Sequence, residues 1–474
     1  MVATLMMGVT LLAQENTTIK SEVIKDFKAG GFLGSDVENY YLWKTNEGGV
    51  TSLCVMDKEL NLGNKHDLYN GDFAPDHTFI NDKQLLMVST LSSETQVVIA
   101  NKNRRKIDTL LVEHAKGYWK GKEVRYALEG LSANKQRFCV ASFAEDELGE
   151  KQVAKVRVMD NEMSELWKYD GENLPSKSMI VTDFGEVVLG GFVDIDEESQ
   201  KINLSVLSGQ AQRNFEMTLP EIVLRDIEVL NYQNGKILCS GVIRTPGHKV
   251  QNHKSMVGIC TWTYDVNANV MSEVNRIDFT DQDLDMLYNG KASAKTFRQG
   301  APKMECHKIL TPDGGVLLNY GLAYREVELT KEGKEIVTYN NVGDLVWRLD
   351  AQGKVLWHNG FYKALNSLKG YEALCEPMVL RESDVYYLLP NSKKNKIDKE
   401  GKVRMVTVDE ADGAAITNLM LVHIDAYGRV DKQIVYEDKH INFGSSFWAE
   451  GRNLMTLISD EKGHANVIKV KLPK

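Results

Sequence analysis

Apolar residues in this chain fall in short runs separated by turns rich in Asp, Asn, Ser and Gly. The pattern is plainest at Val342–Phe361, VGDLVWRLDAQGKVLWHNGF. One apolar run ends at Leu349-Asp350, a tight turn passes through Gly353, and a second run returns through Val355 and Trp357. Two β-prone runs joined by a short Asp/Gly turn predict a β-hairpin. Comparable hairpins begin at Leu53, Val97, Val156, Leu204, Cys260 and Leu421, most with Asp, Asn or Ser leading into the turn. A second kind of hairpin precedes each of these, as in MIVTDFGEVVLGGF, IEVLNYQNGKILCSGV and KILTPDGGVLLNYG.

The repeating unit is therefore four strands, A to D, with short A–B and C–D turns and longer B–C and D–A connections. Recurring four-stranded antiparallel sheets predict an all-β chain folded as a single β-propeller, which packs its blades radially. Eight blades are expected, with seven the alternative if one weak unit is an insertion. The last unit supplies A (Ser446–Trp448), B (Leu454–Ser459) and C (Asn466–Leu472) but no D. Thr18–Phe27, with its strand-like pattern, is expected to fill that place and close the ring. Two stacked sandwiches would call for a linker or a composition break at mid-chain, and the sequence has neither.

In such a blade the B–C and D–A connections emerge on one face. The long ones expected here are Ala144–Ala154, Arg244–Met256, Thr280–Met304, Arg325–Gly343, Tyr362–Leu374 and Asn391–Asn418. They gather on one rim of the central channel, where a scaffold fold carries its binding surface. Within them, Asp281–Lys291 predicts a short helix with Thr280 or Asp281 as its N-cap.

The chain has 474 residues, 43% hydrophobic and 26% charged, which suits a large folded core. A net charge of −9 and a pI near 5.7 argue against nucleic acid and anionic membranes as partners. The basic runs Asn103–Lys106 and Lys393-Lys394 read as solvated turns. Met1–Gln14 is apolar, ends before polar residues and resembles an export signal without its basic start. Residues 1–14 are thus expected to be a leader and 15–474 the propeller, placed outside the cytoplasm: periplasmic, secreted or at the cell surface. No transmembrane segment is expected. Six cysteines without a CxxC pair read mainly as packed thiols. Cys239 and Cys260, symmetric about a loop on strands B and C, are a possible disulfide. Cys306 and Cys375 begin neighbouring A strands.

Polar residues near the starts of the A strands should ring the channel mouth: Asp76, His77, Arg125, Ser178, Arg225, Asp226, Glu305, His307, Glu376 and Ser445. Asp76, His77, Arg125, Arg225 and Asp226 are candidate ligand-binding groups. Trp119, in a D–A connection, could stack on a sugar or a partner side chain. His307 beside Glu305 or Glu376 is the candidate acid–base pair. Packed thiols and a charged channel lining account for the same residues without any activity. A metal site is not expected, because only Cys306, Cys375 and His307 can be named against the four ligands of tetrahedral zinc.

The Asp350, Gly353 and Trp357 turn resembles the Asp-Gly-Trp blade turns of quinoprotein-like propellers, and the layout is similar to the WD-repeat and Kelch superfamilies. The adjacent cysteine pair and acidic metal ligands of the quinoprotein enzymes are absent, so the resemblance implies no cofactor. Leader and composition are similar to exported propellers of bacterial type. The function expected is non-catalytic binding of a protein, peptide or glycan on the long-connection face. The alternative is a hydrolase or lyase acting on a polar polymer at the channel mouth.

Overall fold

One turn recurs in four blades of the computed structural model. At Asp57, Asp160, Asp350 and Asp425 the carboxylate Oδ1 accepts the backbone N–H groups two and four residues further on, at 2.8–3.0 Å. The residue three further on lies in the left-handed region, as Leu60 (φ 72°), Met163 (65°), Gly353 (81°) and Gly428 (81°). Its N–H donates back to the Asp carbonyl. The side chain thus satisfies the turn's backbone donors locally and sets the hairpin register.

The structure describes residues 17–472 apart from 71–74, 76, 81–83, 91–93, 102–106, 116–117, 120–121, 124, 146–151, 197, 210, 220, 245–255, 284–302, 331–333, 368–378, 393–395, 398–402, 405–415 and 460–462. Eight four-stranded antiparallel blades form a ring, so the chain is an eight-bladed β-propeller. Blades 1 to 4 occupy residues 29–70, 77–113, 125–172 and 178–217. Blade 5 spans 223–278, its outer strand split in two, and blade 6 spans 303–367. Blade 7 runs from 379 to 441, and blade 8 combines 442–471 with Thr17–Lys20. The strand Val430–Glu450 serves both, as the outer strand of blade 7 and the inner strand of blade 8.

The core is divided among the blade interfaces. Among the described residues, eight apolar clusters occupy the eight junctions, one between each pair of neighbouring blades. Alternate residues of one strand serve opposite junctions: Leu318 and Trp347 pack toward blade 5, Leu317 and Val346 toward blade 7. Burial on both faces is why these strands read as near-continuous apolar runs. Trp262 and Trp347 lie fully inside this core.

The ring closes through the chain's two ends, as the strand pattern predicts. Thr17–Lys20 pair antiparallel with Ile468–Lys471, and Ile24 bridges Ala465. Ile24 and Phe27 are buried in the junction between blades 8 and 1. At the turn side of that junction, Lys58 Nζ donates to both carboxylate oxygens of Glu450 at 2.8 and 2.7 Å and lies over the Tyr40 ring. Ser35 Oγ donates to the same carboxylate.

Leu60 is buried in this seam despite its left-handed backbone, whereas the matching glycines of blades 6 and 7 lie against a neighbour. A Cβ on Gly353 would approach Leu238 Cδ1 to 2.9 Å, and one on Gly428 would meet the Trp357 ring at 3.0 Å. Leu60→Gly should therefore remove roughly 1 kcal/mol of backbone strain and open a cavity costing about 2–5 kcal/mol. The variant is expected to unfold at lower urea than the parent; a gain in stability would show that strain outweighs packing there.

Two expectations are corrected. Arg325–Gly343 is not a loop. The B and C strands of blade 6 run on as Val316–Leu329 and Glu335–Leu349, paired out to Leu329 and Glu335, with the outer strand following to Ser367. The alternating YREVEL and EIVTYN sequences continue the ladder, so the elaboration is a projecting ribbon. The Cys239–Cys260 disulfide is not formed. The register places Cys239 opposite Trp262 and Cys260 opposite Gly241, two residues out of step, and both thiols are free. Burial pushes the two thiols up, Cys260 to about 12.

Of the predicted helix 281–291, the first turn, 281–283, is described. Thr280 caps it: Asp283 N donates to Thr280 Oγ1 and Thr280 N to Asp283 Oδ2, the reciprocal bonds of a capping box. His358 Nε2 of blade 6 lies 3.7 Å from Asp283 Oδ1 and stacks on Trp347. Its imidazole is raised above the usual 6.5 by the bond to Asp283. Burial works to raise the Asp283 carboxyl, but the bonds from His358 and Thr280 outweigh it and hold it below 3.8. The imidazole's contribution is therefore complete below pH 6.5 and is lost as pH rises through its raised value; the carboxylate's is complete above 3.8 and lost on acidification. The stability gap between the parent and His358→Gln should close on going alkaline. A gap independent of pH would break the assignment.

Among the described residues no helix is long and apolar enough to cross a membrane.

Candidate functional site

The inner strand of blade 5, Val223–Gln233, carries a bulge at Arg225: Leu224 pairs with Ile243 and Asp226 already with Val242. A bulge re-aims the side chains that follow it. Ile227 and Val229 enter the junction with blade 4, while Asp226 and Glu228, two residues apart, share the other side of the strand. Facing them is the inner strand of blade 6, Lys303–Leu310, which brings Cys306, His307 and Lys308. Between the two blades lies a cavity of about 250 Å3 lined by Asp226, Ile227, Glu228, Gly241, Val242, Cys306, His307 and Tyr320.

Glu228 ties three blades together at this wall. Its Oε2 accepts from Ser178 Oγ of blade 4 at 3.0 Å and from Lys308 Nζ of blade 6 at 3.1 Å. Lys308 also donates to the Val229 carbonyl at 2.6 Å, and Ser178 Oγ accepts from Val229 N. Deeper in, the buried Tyr320 hydroxyl lies 3.2 Å from Ser240 Oγ. Burial raises the Tyr320 phenol and the Cys306 thiol far above their ordinary values, which leaves the sulfur protonated and a poor nucleophile.

Asp226 differs from its neighbours. Water reaches it from the channel, yet the surrounding protein crowds it enough that lost hydration is the main cause of a raised carboxyl, with the Glu228 charge second. Its Oδ1 accepts only from Ile227 N among the described residues. His307, exposed on the next blade, completes the group. A raised carboxyl in this cavity, which His307 also lines, is able to hold a proton or to receive a hydrogen-bonding ligand.

Of the residues singled out from sequence, Asp226 and His307 thus meet in one cavity, with Arg225 at the adjoining bulge and Ser178 bound to its wall. His77 and Arg125 begin the inner strands of blades 2 and 3, Glu305 lies on that of blade 6, and Ser445 lies on the strand shared by blades 7 and 8. Trp119 is in a two-residue strand paired with Lys122–Glu123. The side chains of His77, Trp119, Arg125, Glu305 and Ser445, and residues Asp76, Cys375 and Glu376 altogether, lie outside the described residues. Glu228, Lys308 and Tyr320 escape sequence reading. Glu228 was within reach, since it follows Asp226 by the two-residue step that keeps strand side chains on one face.

At the opposite mouth, among the short turns, Lys135 of blade 3 lies over the Trp448 ring of blade 8, 5.7 Å from its centroid. These blades are not neighbours, so the contact crosses the opening on that side.

No protein-family model matches the sequence, and no curated protein matches it. Solved structures of similar layout include the polysaccharide lyase Uly1, with 9% identity and a TM-score of 0.44 over 96% of this chain and 100% of that one. The WD40 domain of SCAP from fission yeast matches at 7% identity and TM-score 0.41, over 98% and 96% of the two chains. The Dos1 propeller does so at 12% and 0.35, over 81% and 88%. At these values the likenesses carry no argument about the chemistry of the channel.

Proposed function

We propose that the protein is a non-catalytic binding propeller that receives a protein, peptide or glycan on its long-connection face, a polar group of the partner entering the cavity between blades 5 and 6. The observation that carries this reading is how far the cavity's reactive groups are committed to the fold. Glu228 is bound by Ser178 and Lys308, Tyr320 lies against Ser240, and the Cys306 thiol is held protonated. The blade 6 ribbon and the Lys135–Trp448 crossing at the other mouth support the choice of face. The apolar Met1–Gln14 stretch supports a site of action outside the cytoplasm. Calorimetric titration of the full chain with peptides and oligosaccharides should give saturable binding with the ligand recovered intact.

Asp226 favours a second reading, a hydrolase or lyase on a polar polymer, with Asp226 as acid and His307 as its partner. Polymer shortening that disappears in both Asp226→Asn and His307→Ala would establish that reading and end the first.

A further inference from the structure

Resting on the binding reading, we propose that the cavity between blades 5 and 6 takes a single cationic side chain, a lysine ammonium or an arginine guanidinium, from a peptide or protein partner. Its volume of about 250 Å3 is below the roughly 300–1,000 Å3 of cavities that enclose a whole small-molecule ligand. One protruding group fits that space; a run of polymer does not.

The lining matches such a group in two parts. Val242 and the Tyr320 ring supply an apolar wall for an aliphatic stem, and the carboxylates of Asp226 and Glu228 supply acceptors for a charged head. Among the described residues, hydrogen bonds occupy one oxygen of each carboxylate: Ile227 N on Asp226 Oδ1, and Ser178 with Lys308 on Glu228 Oε2. Each therefore keeps an oxygen to accept a charge-assisted bond. Lys308 stands at ion-pair distance from Glu228, and its ammonium is directed to that carboxylate and the Val229 carbonyl. Lys177 and Arg225 act on Asp226 more weakly than burial and Glu228 do. An incoming cation thus relieves the repulsion between the two acids, whereas an anion would add to it.

The test uses the full chain and acetylated, amidated peptides in which a central lysine, arginine, leucine or glutamate is flanked by glycines, titrated calorimetrically. The lysine or arginine peptide, the two arms deciding which head is preferred, is expected to bind, with affinity falling as salt rises. Asp226→Asn, shown by its melting curve to be folded, should weaken that binding by roughly tenfold to a hundredfold. Asp313→Asn, on a short turn of the opposite face, should leave it unchanged. The inference is overturned if the leucine or glutamate peptide binds as well, if Asp226→Asn binds like the parent, or if no peptide binds at millimolar concentration. An oligosaccharide or acidic peptide that binds instead would leave the broader binding reading standing. Release of a shortened polymer would remove both.

Discussion

A chain beginning at Lys28 is expected to lose most of its stability relative to one beginning at Thr17. Residues 17–27 supply the outer strand of blade 8, paired from Thr17 with Lys471 to Lys20 with Ile468. They also bury Ile24 and Phe27 in the junction with blade 1. Burying two such side chains contributes roughly 1.5–3 kcal/mol each, and each ladder hydrogen bond adds about 0.5–1.5 kcal/mol. Losses on the order of 5–10 kcal/mol approach the whole stability of an ordinary domain. The damage is not confined to one blade, because a ring with an open seam leaves apolar faces of blades 8 and 1 exposed together. Urea unfolding followed by tryptophan fluorescence measures the effect, with Ile24→Ala as a milder companion at about 2–5 kcal/mol. A shortened chain that unfolds at the same urea concentration as the longer one would show that the seam does not hold the ring.

Trp347→Ala should be the most damaging single substitution between blades 5 and 6. The indole is 1% exposed, meets Tyr320 edge-on at 5.5 Å, and has His358 stacked at 6.3 Å. Replacing a buried tryptophan with alanine costs about 3–5 kcal/mol, most where neighbours cannot collapse into the space. Here the neighbours belong to two sheets held by their own ladders, so collapse is limited. Trp347→Phe retains the ring contact with Tyr320 and should lose less than half as much. Since Tyr320 lines the cavity, the alanine variant should also weaken binding of the cationic peptides, which a purely peripheral defect would leave alone. Equal unfolding midpoints for the parent and the alanine variant would contradict this packing.

Local chemistry was the most readable part of the chain. Asp350 and Gly353 announce their turn because a short carboxylate satisfies nearby N–H groups and glycine adopts positive φ without a Cβ clash. The Asp57 and Asp160 turns are less obvious, since Leu60 and Met163 occupy the left-handed position and are tolerated there by burial. The capping box of Thr280 and Asp283 is local in the same sense. Strand register was not readable to the residue. A register shift near Arg244, between the second and third strands of blade 5, helps leave Cys239 and Cys260 two residues out of step, so that an apparent opposition is a diagonal. The blade 6 ribbon was mistaken for a loop because two-stranded pairing beyond the blade depends on the partner strand being equally long.

By itself the sequence determined that this is an all-β chain of repeated four-stranded units, that their turns lie where Asp and Gly stand, and that the two ends share one blade. Those properties depend on periodicity and on side chains acting within a few residues. Only the tertiary structure decided that Glu228 joins Ser178, 50 residues before it, to Lys308, 80 residues after it, and that Asp226 and His307 line one cavity. Such meetings follow from how neighbouring blades are rotated against each other. That rotation is set by packing summed over a whole junction, which no short stretch of residues encodes.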